Sequence, residues 1–216
     1  MDIQKIYVRR FTTDLKFRVE MWKILCNDFF QKRISRNDRV LEIGAGYCEF
    51  INNIQAGSKV AVDINPDVKL YAHPDIEIII SDTGHMNMIP DNSINVVFAS
   101  NFFEHLTRNQ ITATFKEVFR TLAPDGKFIV LQPNIRFCSK DYWMFFDHIT
   151  PIDDRAFVEA LEINGFRIMQ VIERFLPYTT KSRLPKALIL IKIYLRLPLA
   201  WRIFGQQSLI VSTKPK

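Results

Sequence analysis

The chain has 216 residues, 48% apolar and 24% charged, which suits one well-cored globular unit and excludes extensive disorder. Its formal charge of +6 is unevenly placed: nine basic residues and no acidic ones lie from Arg174 to Lys216, so the part before them carries about −3. A mildly acidic body argues against a general nucleic-acid binder, which would spread a positive stripe over its fold.

Taken in chain order, the first predicted element is a helical segment over 14–33. Asp14 stands at its cap, and Leu15, Val19, Trp22, Leu25, Cys26 and Phe29 recur at helical spacing on one face. Units of strand and helix follow: strand 39–43 with helix 47–55, strand 59–63 with a short helix near Asp67–Ala72, strand 76–81, then strand 94–100 with helix 107–121. Ala123-Pro124-Asp125-Gly126 reads as a turn before a fifth strand, Lys127 to Gln132. Asp153 or Asp154 caps a helix running to about Asn164, Gly165 stops it, and Phe166 to Ile172 makes a sixth strand. Ser208 to Thr213 supplies the last. This alternation implies a largely parallel sheet covered on both faces.

Between the last two strands, 184–204 is mostly apolar and exclusively basic. Lys192, Arg196 and Pro198 interrupt it too often for a bilayer-spanning helix. It reads either as helices packing on the sheet or on a second copy of the chain, or as an interfacial segment with Tyr194, Trp201 and its basic side chains at an anionic lipid surface. Met1 to Thr13 mixes charged and apolar residues and is not expected to act as a secretory leader. Cys26, Cys48 and Cys138 lack metal-ligand spacing, so each is expected to be a small buried hydrophobe in a reducing cytoplasm.

Chemistry concentrates in the run Arg39-Val40-Leu41-Glu42-Ile43-Gly44-Ala45-Gly46-Tyr47-Cys48-Glu49-Phe50, a buried strand breaking into a glycine turn. Gly44 and Gly46 can take left-handed conformations and bring bare amides against a ligand. Glu42, just ahead of them, would repel a pyrophosphate and attract an ammonium or sulfonium group. Lys59 to Asp63 is a second short apolar run ending in a carboxylate, where open α/β sheets accept hydrogen bonds from ribose hydroxyls. A dinucleotide fingerprint fits less well, because its third glycine would fall on Glu49.

These motifs resemble those of class I S-adenosylmethionine-dependent methyltransferases, particularly the small-molecule group whose first motif runs hhExGxGxG, with Cys48 in place of the third glycine. The resemblance implies an α/β Rossmann-like fold: a doubly wound, mostly parallel seven-stranded sheet with an antiparallel last strand, a core over 35–175, an N-terminal helix and a helical insertion before the last strand at 208–213. It also implies S-adenosylmethionine as cofactor. On that resemblance Glu42, Gly44 and Gly46 would hold its amino-acid end and Asp63 the ribose, while Ile64 would pack on adenine. Asp82 would contact the adenine amino group, with the Thr83 amide reading a ring nitrogen. The segment Ile94 to Leu106 is similar to the family's FDxVxxxxxLEHL stretch, with Asn95 for the usual Asp; its exit loop, Ser100 and Asn101, would line the methionine portion.

On the acceptor side, His105 begins the next helix within reach of a substrate. Phe145-Phe146-Asp147-His148-Ile149-Thr150-Pro151 follows the fifth strand at the sheet's carboxyl edge, where Asp147 can orient His148 as a general base. This stretch resembles methyltransferases of glycan and cell-envelope biosynthesis, which points to oxygen methylation of a small or lipid-linked acceptor such as a sugar. Phe137, Tyr142, Trp143, Phe145 and Phe146 read as a pocket wall or as a lid packed on itself. The four histidines, His73, His85, His105 and His148, look isolated from any ligand set, so no metal site is expected. RNA or protein methylation is the alternative enzyme class, against which stand the acidic body and Ser100-Asn101-Phe102-Phe103 in place of an NPPY-like tetrapeptide. A silent methyltransferase-like scaffold docked through its basic tail is the non-enzyme alternative.

Overall fold

The structure is a computed structural model that describes residues 15–178 and 187–216. Its frame is a seven-stranded sheet of β1 (Arg39–Ile43), β2 (Ser58–Asp63), β3 (Ile76–Ile80), β4 (Ile94–Ser100), β5 (Leu122–Pro133), β6 (Arg167–Ile172) and β7 (Gln207–Thr213). The order is β3-β2-β1-β4-β5-β7-β6. β1 to β5 pair in parallel and β7 runs antiparallel between β5 and β6, as the resemblance implied. Strand order progresses outward in opposite directions from β1 and β4, and because these strands are parallel the loops after β1, β2, β3 and β4 open along one carboxyl edge, where α/β sheets bind ligands.

Alternation along the central strands divides the core in two. Leu41, Ile43, Val97 and Val130 face one layer, covered by α3 (Arg108–Thr121) and α5 (Asp154–Ile163) through Phe115, Val118, Phe157 and Leu161. Val40, Val96, Phe98 and Ile129 face the other, which holds α1 (Leu15–Asp28) with its Trp22, Leu25 and Cys26. Phe50 stacks on Phe98 at 3.7 Å between ring centres, and Trp22 meets both rings edge-on. Val19, expected on the buried face of α1, is exposed; Phe29 is buried as expected, together with Phe30, which opens the short 3₁₀ turn that follows the helix. The predicted cap Asp14 and residues 184–186 of the insertion lie outside the described residues.

Several local features follow the sequence closely. Thr107 caps α3 in a reciprocal box with Gln110, and Asp153 caps α5 by accepting from the Ala156 amide at 2.8 Å. Asn95 accepts the Arg39 amide at 2.8 Å, tying the start of β1 to β4. The Ala123 to Gly126 turn is absorbed into a bulged β5, with Asp125 at φ 61° and a register shift against β4. The short helix expected near Asp67–Ala72 is the single turn α2, Val68–Tyr71, and one element was not foreseen: a kinked helix α4, Ile135–Tyr142, follows β5 with Asn134 as its cap.

The insertion forms two short helices, α6 (Leu188–Leu195) and α7 (Pro198–Phe204), with Pro198 opening the second as its fixed φ permits. The interfacial reading of this segment had its aromatics at the surface, and this is corrected. Tyr194 donates to the Phe175 carbonyl at 2.6 Å, Trp201 donates to the Tyr194 carbonyl at 2.8 Å, and the indole packs on Phe29 and Phe175. What faces outward is aliphatic and basic: Ile189, Ile193, Leu199 (74% exposed) and Ile203, with Lys192, Arg196 and Arg202. Among the described residues no helix is long and apolar enough to cross a membrane.

Candidate functional site

At the end of β1 the backbone enters the left-handed region three times, at Gly44 (φ 62°), Gly46 (φ 49°) and Cys48 (φ 56°). Amides of Gly44 and Ala45 bond back to the Val62 carbonyl, at 2.9 and 3.4 Å, which holds the turn against the end of β2. The helix expected at 47–55 is replaced by successive turns. Left-handed Cys48 breaks the repeat, Cys48 and Asn53 bond to carbonyls three residues back, and the Ile51 amide leaves the backbone ladder to meet Glu42 Oε2 at 3.0 Å.

Gly44 has a second constraint. A Cβ built there would lie 2.3 Å from Phe102 Cδ2, in a conformation that L side chains seldom adopt. We expect Gly44→Ala to cost about 1–2 kcal/mol in backbone strain and about 1–3 kcal/mol in overpacking. Urea denaturation measures the loss, and adding Phe102→Ala should recover the overpacking part alone.

Two buried carboxylates organise this turn. Asp63 Oδ2 accepts the Gly46 amide and Oδ1 the Asn65 amide, each at 2.8 Å. Burial pushes the Asp63 carboxyl up, and these amides hold it back. Burial pushes Glu42 well above the usual carboxylate range; the Ile51 amide opposes this, and Glu49 and Asp63 add to it. Glu49 itself meets Arg18 of α1, Nε to Oε1 at 2.9 Å, with the guanidinium 5.9 Å from the Tyr47 ring centre. Arg18 therefore belongs to the wall of this site although 31 residues separate it from Glu49, and nothing in the local pattern announced it. The result is a glycine turn pinned by two buried carboxylates, an acidic site suited to a ligand that carries a cation.

The remaining cofactor-side residues collect along the same edge. Ile64 is 58% exposed directly after Asp63. Asp82 closes a small turn by accepting the Gly84 amide at 2.7 Å, while the buried Thr83 hydroxyl shares a 2.8 Å bond with Thr114. After β4, Asn101 is left-handed (φ 48°), its amide bonds the Leu131 carbonyl at 2.8 Å, and its side chain reaches Ser100 Oγ at 3.0 Å. Sequence order thus becomes spatial adjacency.

On the acceptor side the structure changes the pairing read from sequence. Asp147 turns to His105, with Nδ1 3.3 Å from Oδ2 and 3.1 Å from the Asp147 carbonyl. His148 points away and is buried among Tyr142, Phe145 and Tyr178, its Nε2 3.4 Å from the Tyr178 hydroxyl. The cause lies in the backbone. Ile149 and Thr150 amides both donate to the Glu104 carbonyl, at 2.9 and 3.2 Å, and the Thr150 hydroxyl donates to the Leu106 carbonyl, strapping the 145–150 loop onto the 3₁₀ turn Phe103–His105. Adjacent side chains on that loop then diverge. The expectation that the histidines are isolated is also corrected, since ligand atoms of Glu104, His105 and His148 all lie within 4.8 Å of one another.

The expected aromatic wall divides likewise. Tyr142 is buried and donates to the Thr150 carbonyl at 2.6 Å, whereas Trp143 and Phe146 (90% exposed) project outward beside exposed Met144 and Ile149. All three cysteines are buried, and burial raises their thiols, Cys138 to about 12, so none is poised as a nucleophile.

A sheet of this order, with a glycine turn and two buried carboxylates at its carboxyl edge, is the fold of class I S-adenosylmethionine-dependent methyltransferases. Residues 41–130 match the family described as Methyltransferase domain. No curated protein matches the chain. Among solved structures it is similar to a SAM-dependent methyltransferase from Archaeoglobus fulgidus (20% identity, 94% of this chain and 99% of that one, TM-score 0.70). It is also similar to the Haloferax volcanii complex between the Trm112 methyltransferase activator and a methyltransferase (16% identity, 98% and 97%, TM-score 0.72). A third is the Streptomyces coelicolor geranyl diphosphate C-methyltransferase with Mg2+, geranyl diphosphate and S-adenosyl-L-homocysteine (14% identity, 86% and 76%, TM-score 0.59). At these identities the three likenesses speak for the fold.

Proposed function

We propose that the protein transfers the methyl group of S-adenosylmethionine to an oxygen of a lipid-linked acceptor, with His105 as general base. The observation that carries this reading is the His105 and Asp147 pair, part-exposed beside the exit of β4. S-adenosylmethionine, when bound, supplies a sulfonium methyl for in-line displacement. Glu42 and the glycine turn would hold its amino-acid end, Asp63 its ribose, Ile64 and the Asp82-Thr83 turn its adenine, and Ser100 and Asn101 its methionine portion. These residues fit that group: the buried carboxylates Glu42 and Asp63 attract its positive charge.

Asp147 fixes the His105 ring by accepting from Nδ1, which leaves the Nε2 lone pair to take the acceptor's hydroxyl proton as the oxygen bonds carbon. Electrons of the breaking bond pass to sulfur. The imidazolium so formed is stabilised by the Asp147 carboxylate. The exposed side chains of Trp143, Met144, Phe146 and Ile149 favour an acceptor with an apolar portion. Resemblance of the FDHITP stretch to enzymes of envelope glycan synthesis adds a sugar hydroxyl as the methylated group.

Incubation of the protein with methyl-labelled cofactor and membrane lipid extract, followed by carbon NMR, tests this reading. Label at an O-methyl shift in a lipid-linked sugar is the expected result; label on nitrogen or carbon refutes it. The outward aliphatic and basic surface of α6 and α7 supports an acceptor reached at a membrane. The chain should co-float with anionic phosphatidylglycerol vesicles at low salt, and Leu199→Asp with Ile203→Asp should abolish this. Absence of flotation by the unaltered chain removes the membrane part.

A further inference from the structure

We propose that Glu104, His105 and His148 form a binding site for a divalent transition-metal ion of the zinc type, and that its occupancy suppresses base function at His105. Three donors converge here: two imidazoles and one carboxylate, their ligand atoms all within 4.8 Å of one another. His105 Nε2 lies 4.0 Å from Glu104 Oε1. Ligands sharing one tetrahedral ion, each about 2.0–2.2 Å from it, stand roughly 3.3 Å apart, so the set needs only a modest contraction to close. A nitrogen-rich donor set selects zinc, cobalt or nickel over magnesium or calcium, which prefer oxygen ligands.

Two further features match what metal sites require. The ring of His105 is already oriented by a carboxylate on its far nitrogen, Asp147 Oδ2 at 3.3 Å from Nδ1, the arrangement that fixes the orientation of a metal-bound imidazole. The donors are also held on rigid backbone. Glu104 and His105 share one 3₁₀ turn, and the Ile149 and Thr150 amides clamp the His148 loop to the Glu104 carbonyl. Two of the three ligands, Glu104 and His148, are buried, while part-exposed His105 gives the ion a route in.

The consequence for catalysis rests on the reading of His105 as base; metal binding itself does not. The Nε2 lone pair that would accept the acceptor's proton is the one that would ligate the ion, and it cannot do both. Zinc should therefore slow methyl transfer and a chelator should restore it.

The test uses Co2+ with the full chain. Titration should give one equivalent of bound cobalt with visible absorption of tetrahedral intensity, displaced by Zn2+, and weakening as pH falls and the imidazoles protonate. Glu104→Gln, which keeps the side chain's shape, should weaken cobalt binding at least 10-fold, and Asp147→Asn should weaken it about 10–100-fold as loss of an orienting partner does. Imidazole NMR of the unaltered chain gives a reading that does not depend on variants folding: both His105 and His148 signals should shift with the first equivalent of Zn2+. Absence of cobalt absorption, or shifts confined to the exposed His73 and His85, overturns the site. Binding with no effect on transfer overturns the inhibition and also removes His105 as base, whereas transfer to an acceptor other than oxygen leaves the metal site standing.

Discussion

Replacing His105 by alanine in metal-stripped protein lowers methyl transfer by about 10²–10⁴-fold, the usual contribution of a positioned base, while S-adenosylhomocysteine binds with unchanged affinity. The split follows from position. His105 lies beside the β4 exit with Asp147 on Nδ1, whereas the acidic site proposed to receive the cofactor is built by Glu42, Asp63 and the glycine turn. Asp147→Ala has a smaller effect, because the carbonyl of residue 147, 3.1 Å from Nδ1, still accepts from the ring. Transfer assays beside calorimetry with the demethylated product separate the two functions. If His148→Ala slows transfer as much as His105→Ala without loss of stability, the base is His148.

Glu42→Gln weakens binding of S-adenosylmethionine by about 10–150-fold, the equivalent of one charge-assisted hydrogen bond of about 1.5–3 kcal/mol. The same change makes the empty protein more stable at neutral pH. Burial pushes the Glu42 carboxyl well above its ordinary value, with the neighbouring Glu49 and Asp63 adding to the effect. A folded value above the unfolded one means that the folded chain holds the extra proton. Its contribution is complete below the unfolded value of about 4.3 and is lost as pH rises through the folded value, at about 1.4 kcal/mol for every pH unit separating the two. Glutamine keeps the oxygen that accepts the Ile51 amide and has no proton to lose. Urea denaturation across that window should show the variant gaining on the unaltered chain as pH rises, and a constant difference would remove Glu42 as the source. A cation seated against Glu42 favours its ionised form, so cofactor binding should also release protons.

Much of this was legible in the residues themselves. Apolar runs of strand length gave β1 to β7 to within a residue or two except at β5, where a bulge joins the expected turn to the strand. Glu42, Gly44, Gly46 and Asp63 converge as the motif order implied. Helix 47–55 failed because a side chain does not reveal its own φ: Cys48 keeps the left-handed conformation suited to a glycine, and that conformation ends a helix. For Tyr194 and Trp201 the sequence leaves inward packing and a lipid-facing surface both open, because a pattern that is apolar all round leaves the inward face undefined until the neighbouring Phe29 and Phe175 are in place.

The sequence by itself determined the strand pattern, the glycine turn and the two acid-tipped strands, because each depends on residues within a few positions of one another and on backbone preferences that act locally. Only the tertiary structure decided which imidazole Asp147 serves, that Arg18 closes on Glu49, and that Glu104, His105 and His148 share one centre. Those contacts join residues some 30 to 45 positions apart, and for the two histidines the geometry is set by where the backbone amides of Ile149 and Thr150 find an acceptor, a long-range pairing that no local pattern encodes.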